Sequence, residues 1–472
     1  MQQNMRSLAK NSGILVVANS SIKFITFLLM PLYTRVLSTA DYGITDTIIN
    51  LAVLVVSGYS LCIDWGMNAF FYDEKTEDYQ QRITTSGTVF CLITAGACLL
   101  TACLSKPISV FLFKSGEYWF AVSLGFLYAA IKLSYFAFRV STRMRGQLKS
   151  VAVYSLAELA SLLIMNILLI LVFKVGYIAI LYANVISQIV CGLLYTWGNR
   201  KLVKPKKWDK PLLSRVLKYC VPLTPVVLLT WVNSFIDRYF IGQFHDQGQV
   251  GLYGRAFQMV TLLSVLTTSF LSAYPSFAYS NADDEDKRPQ YAMVYDALVA
   301  ILCVLAAFVT IFAKEIFVVM TASSYREAYI AVGFLSFGHI FYTLGNVMGY
   351  GITIQKNGKL YLLVNASGAI CNIALNFLLV PKFGYVGAAI TTCTAQFISM
   401  YVSRYFAEKS FRCNYRFVRS IILSLGLLGC SYAIGEVSVW FKIPGFLLLL
   451  GITLLFYYDR FSYIKGLVTR KK

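Results

Sequence analysis

Long apolar runs set the first limit on what this chain can become. Crossing about 30 Å of hydrocarbon takes about 20 apolar residues in a helix. Runs of that kind recur at 12–36, 42–67, 83–103, 118–138, 150–173, 177–197, 219–243, 251–273, 294–313, 327–350, 360–380, 385–407, 418–435 and 442–458. Inside lipid, the backbone of such a run satisfies its own hydrogen bonds as a helix. The fourteen runs therefore predict an all-α integral membrane protein. The mean hydropathy of +0.64 and the 14% share of charged residues agree, since a soluble domain carries roughly a quarter. Arg6 and Lys10 precede a long apolar stretch with no small-residue cleavage site, so that stretch is expected to stay as a span.

An even number of spans puts both termini on one side, and the placement of Lys and Arg says which side. With a cytoplasmic N terminus, the inward segments hold Arg139, Arg143, Arg145 and Lys149, then Arg200, Lys201, Lys204, Lys206, Lys207, Lys210 and Arg215. Later inward segments hold Lys409, Arg412, Arg416, Arg419, Arg460, Lys465, Arg470, Lys471 and Lys472. Outward loops hold scattered basic residues such as Lys106, Lys114, Lys174, Lys314, Arg326 and Lys382. Both termini are expected in the cytoplasm. The net charge of +20 is then topogenic charge that also attracts anionic headgroups, and nucleic acid is not an expected partner.

The 11 cysteines form no CxxC pair; Cys62, Cys91, Cys98, Cys191 and Cys303 sit in apolar runs and read as small buried hydrophobes. His245 and His339 are too few and too far apart for a metal site, and no cofactor is expected. Asp284-Glu285-Asp286 matches a DxD pattern, but no loop is long enough for a nucleotide-binding domain, so it reads as a solvated charge run. A Gly-x4-Gly-Lys-Ser/Thr phosphate loop is lacking, so energy is expected from a H⁺ or Na⁺ gradient or from removal of product. The sharpest polar break, Asn199 to Arg215, divides the chain into 1–198, a basic cytoplasmic linker 199–215, 216–410, and a C-terminal 411–472 with two further helices and a basic tail.

The halves share phrases. "FKVGYIAILYA" (Phe173–Ala183) and "PKFGYVGAAIT" (Pro381–Thr391) align Lys174, Gly176 and Tyr177 with Lys382, Gly384 and Tyr385 at an offset of 208. "TADYGITD" (Thr39–Asp46) and "VGLYGRAF" (Val250–Phe257) place their Tyr-Gly pairs 211 apart. Gly-Tyr alone is a generic tight turn between spans. Two matches at equivalent places point to a parallel repeat of six plus six helices, and transporters so built hold substrate between the halves.

"MPLYTRVLSTADYG" (Met30–Gly43), "NSFIDRYFIGQFHDQGQVGLYGRA" (Asn233–Ala256) and "NFLLVPKFGYVGAA" (Asn376–Ala389) resemble signature phrases of the bacterial polysaccharide exporters. These are the Wzx-type O-antigen flippases of the multidrug/oligosaccharidyl-lipid/polysaccharide superfamily. The resemblance spans the chain. It implies movement of an undecaprenyl-pyrophosphate-linked oligosaccharide (an O-antigen or capsule repeat unit) across the cytoplasmic membrane by alternating access, without enzymatic chemistry. It also implies a polysaccharide polymerase and a chain-length regulator as partners.

An ionisable group at mid-bilayer costs about 2.5–3.5 kcal/mol on insertion scales, so it faces a cavity or a partner. Lys23 lies near the centre of the first span, on one face with Asn19, Thr26 and Thr34. In the second, Asp46, Asn50, Ser57 and Asp64, at offsets of four, eleven and eighteen, fall within a narrow sector. Asn233, Asp237 and Arg238 lie in the seventh, Arg255 in the eighth, Lys132 in the fourth and Glu158 in the fifth. Lys23, Asn19, Lys132, Arg238, Arg255 and Asn233 are the substrate-cavity candidates, cations suiting a pyrophosphate and amides a sugar. Asp64, Asp237 and Glu158 are the ion-coupling candidates; Asp237 and Arg238 also fit a structural ion-pair role.

Two other functions compete. A multidrug/cation antiporter of the same superfamily favours an acidic cavity, whereas basic residues outnumber acids in these spans. A membrane polymerase or lipid-sugar transferase carries a large outer loop with catalytic Arg, His or Asp, whereas the longest outer loop here, around Leu104–Glu117, is short.

Overall fold

All thirteen predicted spans from 42–67 onward contain helix in the computed structural model, which describes residues 27, 29–74, 76–280, 288–354 and 358–458. The chain divides into two compact units, Met1–Gly251 and Leu252–Lys472. The first holds α1 (Met30–Val36), α2 (Thr39–Ser60), α3 (Ile63–Phe70), α4 (Glu77–Thr101), α5 (Ser105–Phe113), α6 (Trp119–Ser134), α7 (Phe136–Met144), α8 (Leu148–Ile167), α9 (Ile178–Asn199), α10 (Lys210–Cys220) and α11 (Thr224–Phe244). α12 (Gln247–Ser280) begins there and continues into the second unit. The second holds α13 (Arg288–Ile311), α14 (Ala313–Met320), α15 (Tyr329–Ile354), α16 (Gly358–Ser410), α17 (Phe417–Gly435) and α18 (Val439–Phe456).

Among the described residues, eleven helical stretches are long and apolar enough to cross a membrane, three fewer than the fourteen predicted spans. The first predicted span lies mostly outside the described residues. α11 is not among the eleven; its 21 residues carry Asp237 and Arg238 amid polar neighbours. The stretch Lys359–Lys409 counts once but holds two predicted spans, 360–380 and 385–407, because α16 breaks at Gly384 with φ +54°.

Local chemistry accounts for several boundaries. Ser38 caps α2: its hydroxyl accepts from the Asp41 N–H while the Asp41 carboxylate accepts from the Ser38 N–H, satisfying two otherwise orphaned donors. Thr76 caps α4 through the Tyr79 N–H. The Gly-Tyr turns use left-handed glycines, Gly176 at φ +78° and Gly384 at φ +54°, where any side chain would be strained. Part of the loop expected around Leu104–Glu117 is helical, as α5.

The predicted second span is not one helix. Leu61 and Cys62 both take positive φ (44° and 57°), and the chain restarts as α3. Neither glycine nor proline marks the break. It lets α3 pack on α10, where Gly66 comes so close to Val216 and Cys220 that a Cβ would lie 2.3 Å from the Cys220 sulfur. Ile63, Met67, Ile83, Cys91, Ala137, Val216 and Cys220 form the core there, and a second core joins α2, α4, α6 and α9 through Ile48, Cys98, Val122, Leu133 and Leu181. The five cysteines expected to be buried are buried.

The basic linker is held by its few acidic neighbours. Asp209 caps α10 by accepting from the Leu212 N–H and also receives Arg82 of α4, with Nη2 at 2.6 Å. The Leu212 N–H and, after it, Arg82 hold the Asp209 carboxyl below its usual range, against a smaller opposing effect of burial. Lys207 pairs with Asp78, and Arg215 with Asp73 at 2.9 Å. In the second unit, the fully buried Lys442 ammonium of α18 donates to both Glu315 oxygens (2.7 and 2.8 Å) and to the Ile311 carbonyl (3.1 Å). Its three donors are thereby satisfied, which ties α18 to α13 and α14.

Candidate functional site

Polar residues of α2 use their own backbone first. Asn50 Nδ2 donates to the Asp46 carbonyl at 2.8 Å and the Ser57 hydroxyl to the Val53 carbonyl at 3.0 Å, bonds that settle a polar side chain on a helix in lipid. Asp46 instead reaches across to α11. Its Oδ2 accepts from Arg238 Nε at 2.5 Å, and both side chains are nearly enclosed, 14% and 4% exposed. The break at Leu61–Cys62 puts Asp64 on α3, half-buried, so the unbroken stripe Asp46–Asn50–Ser57–Asp64 expected from the sequence does not form.

Each remaining candidate has its own setting. Lys23 and Asn19 lie outside the described residues, as does the side chain of Asn233. Asp237 is buried on α11 beside Arg238. Lys132, half-buried near the end of α6, donates to the Tyr128 hydroxyl at 3.1 Å with its ammonium 5.3 Å from that ring's centre, and among the described residues it makes no ion pair. Glu158 of α8 accepts from Gln188 Nε2 at 2.7 Å and lies 3.4 Å from the Cys191 sulfur. Arg255, fully buried in α12 of the second unit, donates to Gln258 Oε1 at 2.5 Å and lies 5.9 Å from the Tyr325 ring.

The structure thus brings Asp46 to Arg238, Arg255 to Gln258, and Glu158 to Gln188 and Cys191. Among the described residues, Lys132, Asp64 and Glu158 share no hydrogen bond or ion pair with one another. Sequence reasoning singled out Asp46 and Arg238 separately but not their pairing, which spans 192 residues of chain. It also missed Gln188, whose signal was visible: an amide inside the apolar run of α9. Chemically, buried guanidinium and ammonium groups among amides and hydroxyls can bind a phosphate-bearing ligand with sugars attached.

Comparison with known proteins first gives the class. A lipid II flippase, MurJ, in an inward closed conformation superposes with a TM-score of 0.73 over 94% of this chain and 99% of that one, at 14% identity. An inward-facing multidrug resistance MATE family transporter of the MOP superfamily matches with a TM-score of 0.66 over 82% and 97%, also at 14% identity. The molecule is a multi-pass, all-helical membrane protein with the fold that these transporters share. The chain belongs to the polysaccharide biosynthesis protein family, whose model matches residues 32–331.

Among individual relatives, a probable low-salt glycan biosynthesis flippase, Agl15 of Haloferax volcanii, is 23% identical over 308 residues, 60% of this chain and 64% of that protein. An uncharacterized membrane protein of Methanocaldococcus jannaschii, MJ1068, is 34% identical over 110 residues, 22% of this chain and 21% of that protein. The matched stretch is in each case less than two thirds of the relative's length.

Proposed function

We propose that this protein is a flippase that carries a lipid-linked oligosaccharide across the membrane by alternating access. The observation that carries the reading is a set of basic side chains within the helical spans of a polysaccharide biosynthesis family member: Arg238 at 3% exposure, Arg255 at 0%, and Lys132 without an ion pair among the described residues. A lipid pyrophosphate carries about two negative charges, and such groups complement it by charge-assisted hydrogen bonds. The descriptions of Agl15 and MurJ as flippases of glycan biosynthesis and of lipid II support the same class of cargo.

The finer reading is undecaprenyl-pyrophosphate-linked O-antigen or capsule repeat as cargo, in a bacterial cytoplasmic membrane, with both termini inside. Two six-helix lobes, 1–198 and 216–410, rock about the cargo, and residues 411–472 follow as an addition. The shared positive-φ glycines at Gly176 and Gly384 support the repeat. Lys23 and Lys132 hold the pyrophosphate in this reading. Lys23→Ala and Lys132→Ala are each expected to lower export of surface glycan at least tenfold with protein level in the membrane unchanged. Lys→Arg at either place keeps the charge and is expected to keep part of the export. Wild-type export from the Lys23→Ala/Lys132→Ala double variant would remove the binding role.

A further inference from the structure

A cleft of about 810 Å³ opens where α4 turns into α5 and α5 into α6. That volume falls in the range of about 300–1,000 Å³ typical of small-molecule sites. One wall is the turn after α4 and the start of α5, with Cys103, Ser105 and Lys106. The other is the α5–α6 turn and the first residue of α6, with Ser115, Glu117 and Trp119. Local bonds set this second wall. α5 ends at Lys114 in the left-handed region (φ +56°), which reverses the chain. The Ser109 hydroxyl then donates to the Ser115 carbonyl at 2.7 Å, and the Glu117 N–H to the Ser115 hydroxyl oxygen at 3.2 Å. Gln243 Nε2 donates to the Phe111 carbonyl at 2.8 Å and Lys114 donates to the Gln243 carbonyl, so α5 is braced against α11 of the same unit.

Ser105 lines the cleft at 2% exposure, and among the described residues its hydroxyl has no hydrogen-bond partner. A buried hydroxyl left this way is costly unless something in the cleft completes it. Lys106 and Glu117, both exposed, line the same space with opposite charges and form no ion pair among the described residues. Trp119 is 51% exposed, so its ring surface is open. An exposed tryptophan near a membrane surface is ordinarily an interfacial anchor, but an anchor needs no orphan hydroxyl, ammonium and carboxylate around it. One charge of each sign suits neither a phosphate nor an acidic headgroup, which draw several cations. A sugar ring fits. Its C–H faces lie on an indole, whose face is electron-rich. Its hydroxyls donate to Glu117, accept from Lys106 and do either with Ser105.

We propose that this cleft is a saccharide-binding subsite that takes a sugar residue of the glycan once it has crossed, with Trp119 as the stacking platform and Ser105, Lys106 and Glu117 as its polar contacts. It rests on the transport reading above for the origin of the glycan. The side of the membrane comes from charge placement, since Lys106 and Lys114 belong to a loop expected to face outward. A sugar bound there adds affinity only in the crossed state, which biases bound cargo toward the outer side.

Cys103 lines the cleft and is exposed, so the wild-type thiol reports occupancy. In sealed, right-side-out membrane vesicles a membrane-impermeant maleimide is expected to label Cys103, located by peptide mass spectrometry. The probes are an array of soluble oligosaccharides built from hexoses, N-acetylhexosamines and uronic acids, with inorganic pyrophosphate as the anion control. At least one sugar is expected to slow Cys103 labelling fivefold or more, and pyrophosphate is expected to leave it unchanged. Trp119→Ala should raise the protecting concentration at least tenfold and Ser105→Ala several-fold, whereas Trp197→Ala, at an exposed tryptophan outside the cleft, should not change it. Ser105→Ala should also leave the unfolding midpoint where it was, as removal of a hydroxyl bonded within the fold would not. These readouts need no transport. Loss of protection with glycan movement intact therefore removes the subsite alone, and protection in a protein that moves no glycan removes the flippase reading alone. No protection by any sugar of the array, equal protection in Trp119→Ala, protection by pyrophosphate in place of sugar, or labelling only after the vesicles are opened overturns the proposal.

Discussion

Asp46→Ala is expected to destabilise the protein by about 3–5 kcal/mol, the cost of leaving one member of a buried ion pair without its partner. The pair joins α2 to α11 with both side chains nearly enclosed, so water cannot replace the lost carboxylate around Arg238. A lower unfolding midpoint in mixed micelles reads the effect. The pair itself need not be a net source of stability. Once both charges are gone, the desolvation penalty goes too, so Asp46→Leu/Arg238→Met is expected to recover at least half of the loss. That asymmetry separates a buried ion pair from two independent contacts. A double variant as unstable as the sum of the single ones would contradict the coupling.

The next largest effect is expected at Gly43. The N-terminal turns of α2 and α12 meet backbone to backbone. A Cβ at Gly43 would lie 1.9 Å from the Gln247 carbonyl oxygen, and one at Gly251 would lie 2.0 Å from that of Thr39. Neither obstacle is a side chain that can rotate away, so Gly43→Ala forces the two helix starts apart. Overpacking of this kind costs about 1–3 kcal/mol, more than alanine's better helix propensity, up to about 1 kcal/mol, returns. Gly96 on α4 is the control, because a Cβ there meets nothing within 4 Å. Gly96→Ala is expected to leave the midpoint unchanged or raise it. Equal shifts at Gly43 and Gly96 would show that the close approach does not exist.

The spans were legible because hydrocarbon thickness imposes a length and backbone satisfaction imposes a helix, and both constraints are local. The Gly-Tyr turns were legible for a similar reason: Gly176 and Gly384 occupy backbone that only glycine takes without strain. The break at Leu61–Cys62 was not, because its cause is the packing of α3 against α10, about 150 residues along the chain, and no residue at the break announces it. For the same reason α10 was not read as a helix: Lys210–Arg215 read as the end of the basic linker and Tyr219–Cys220 as the start of the next span. Its apolar face, Leu212, Val216 and Cys220, becomes meaningful only with α3 and α4 beside it. Among the candidate site residues, depth could be read from position in a span, but partnership could not. An ion-pair role was legible for Arg238 from the neighbouring Asp237, but its partner Asp46, 192 residues away, was not, and neither were the neutral donors around Glu158.

The most direct measurement places the purified protein in vesicles with a lipid-linked oligosaccharide confined at first to the inner leaflet. A glycosidase outside then reports how much glycan has crossed. Vesicles bearing the protein are expected to expose glycan at least tenfold faster than protein-free vesicles, with most of that gain lost in Lys132→Ala. Exposure at the protein-free rate from folded protein, together with uptake or extrusion of a cationic drug by the same vesicles, would contradict an anionic lipid-linked glycan as cargo.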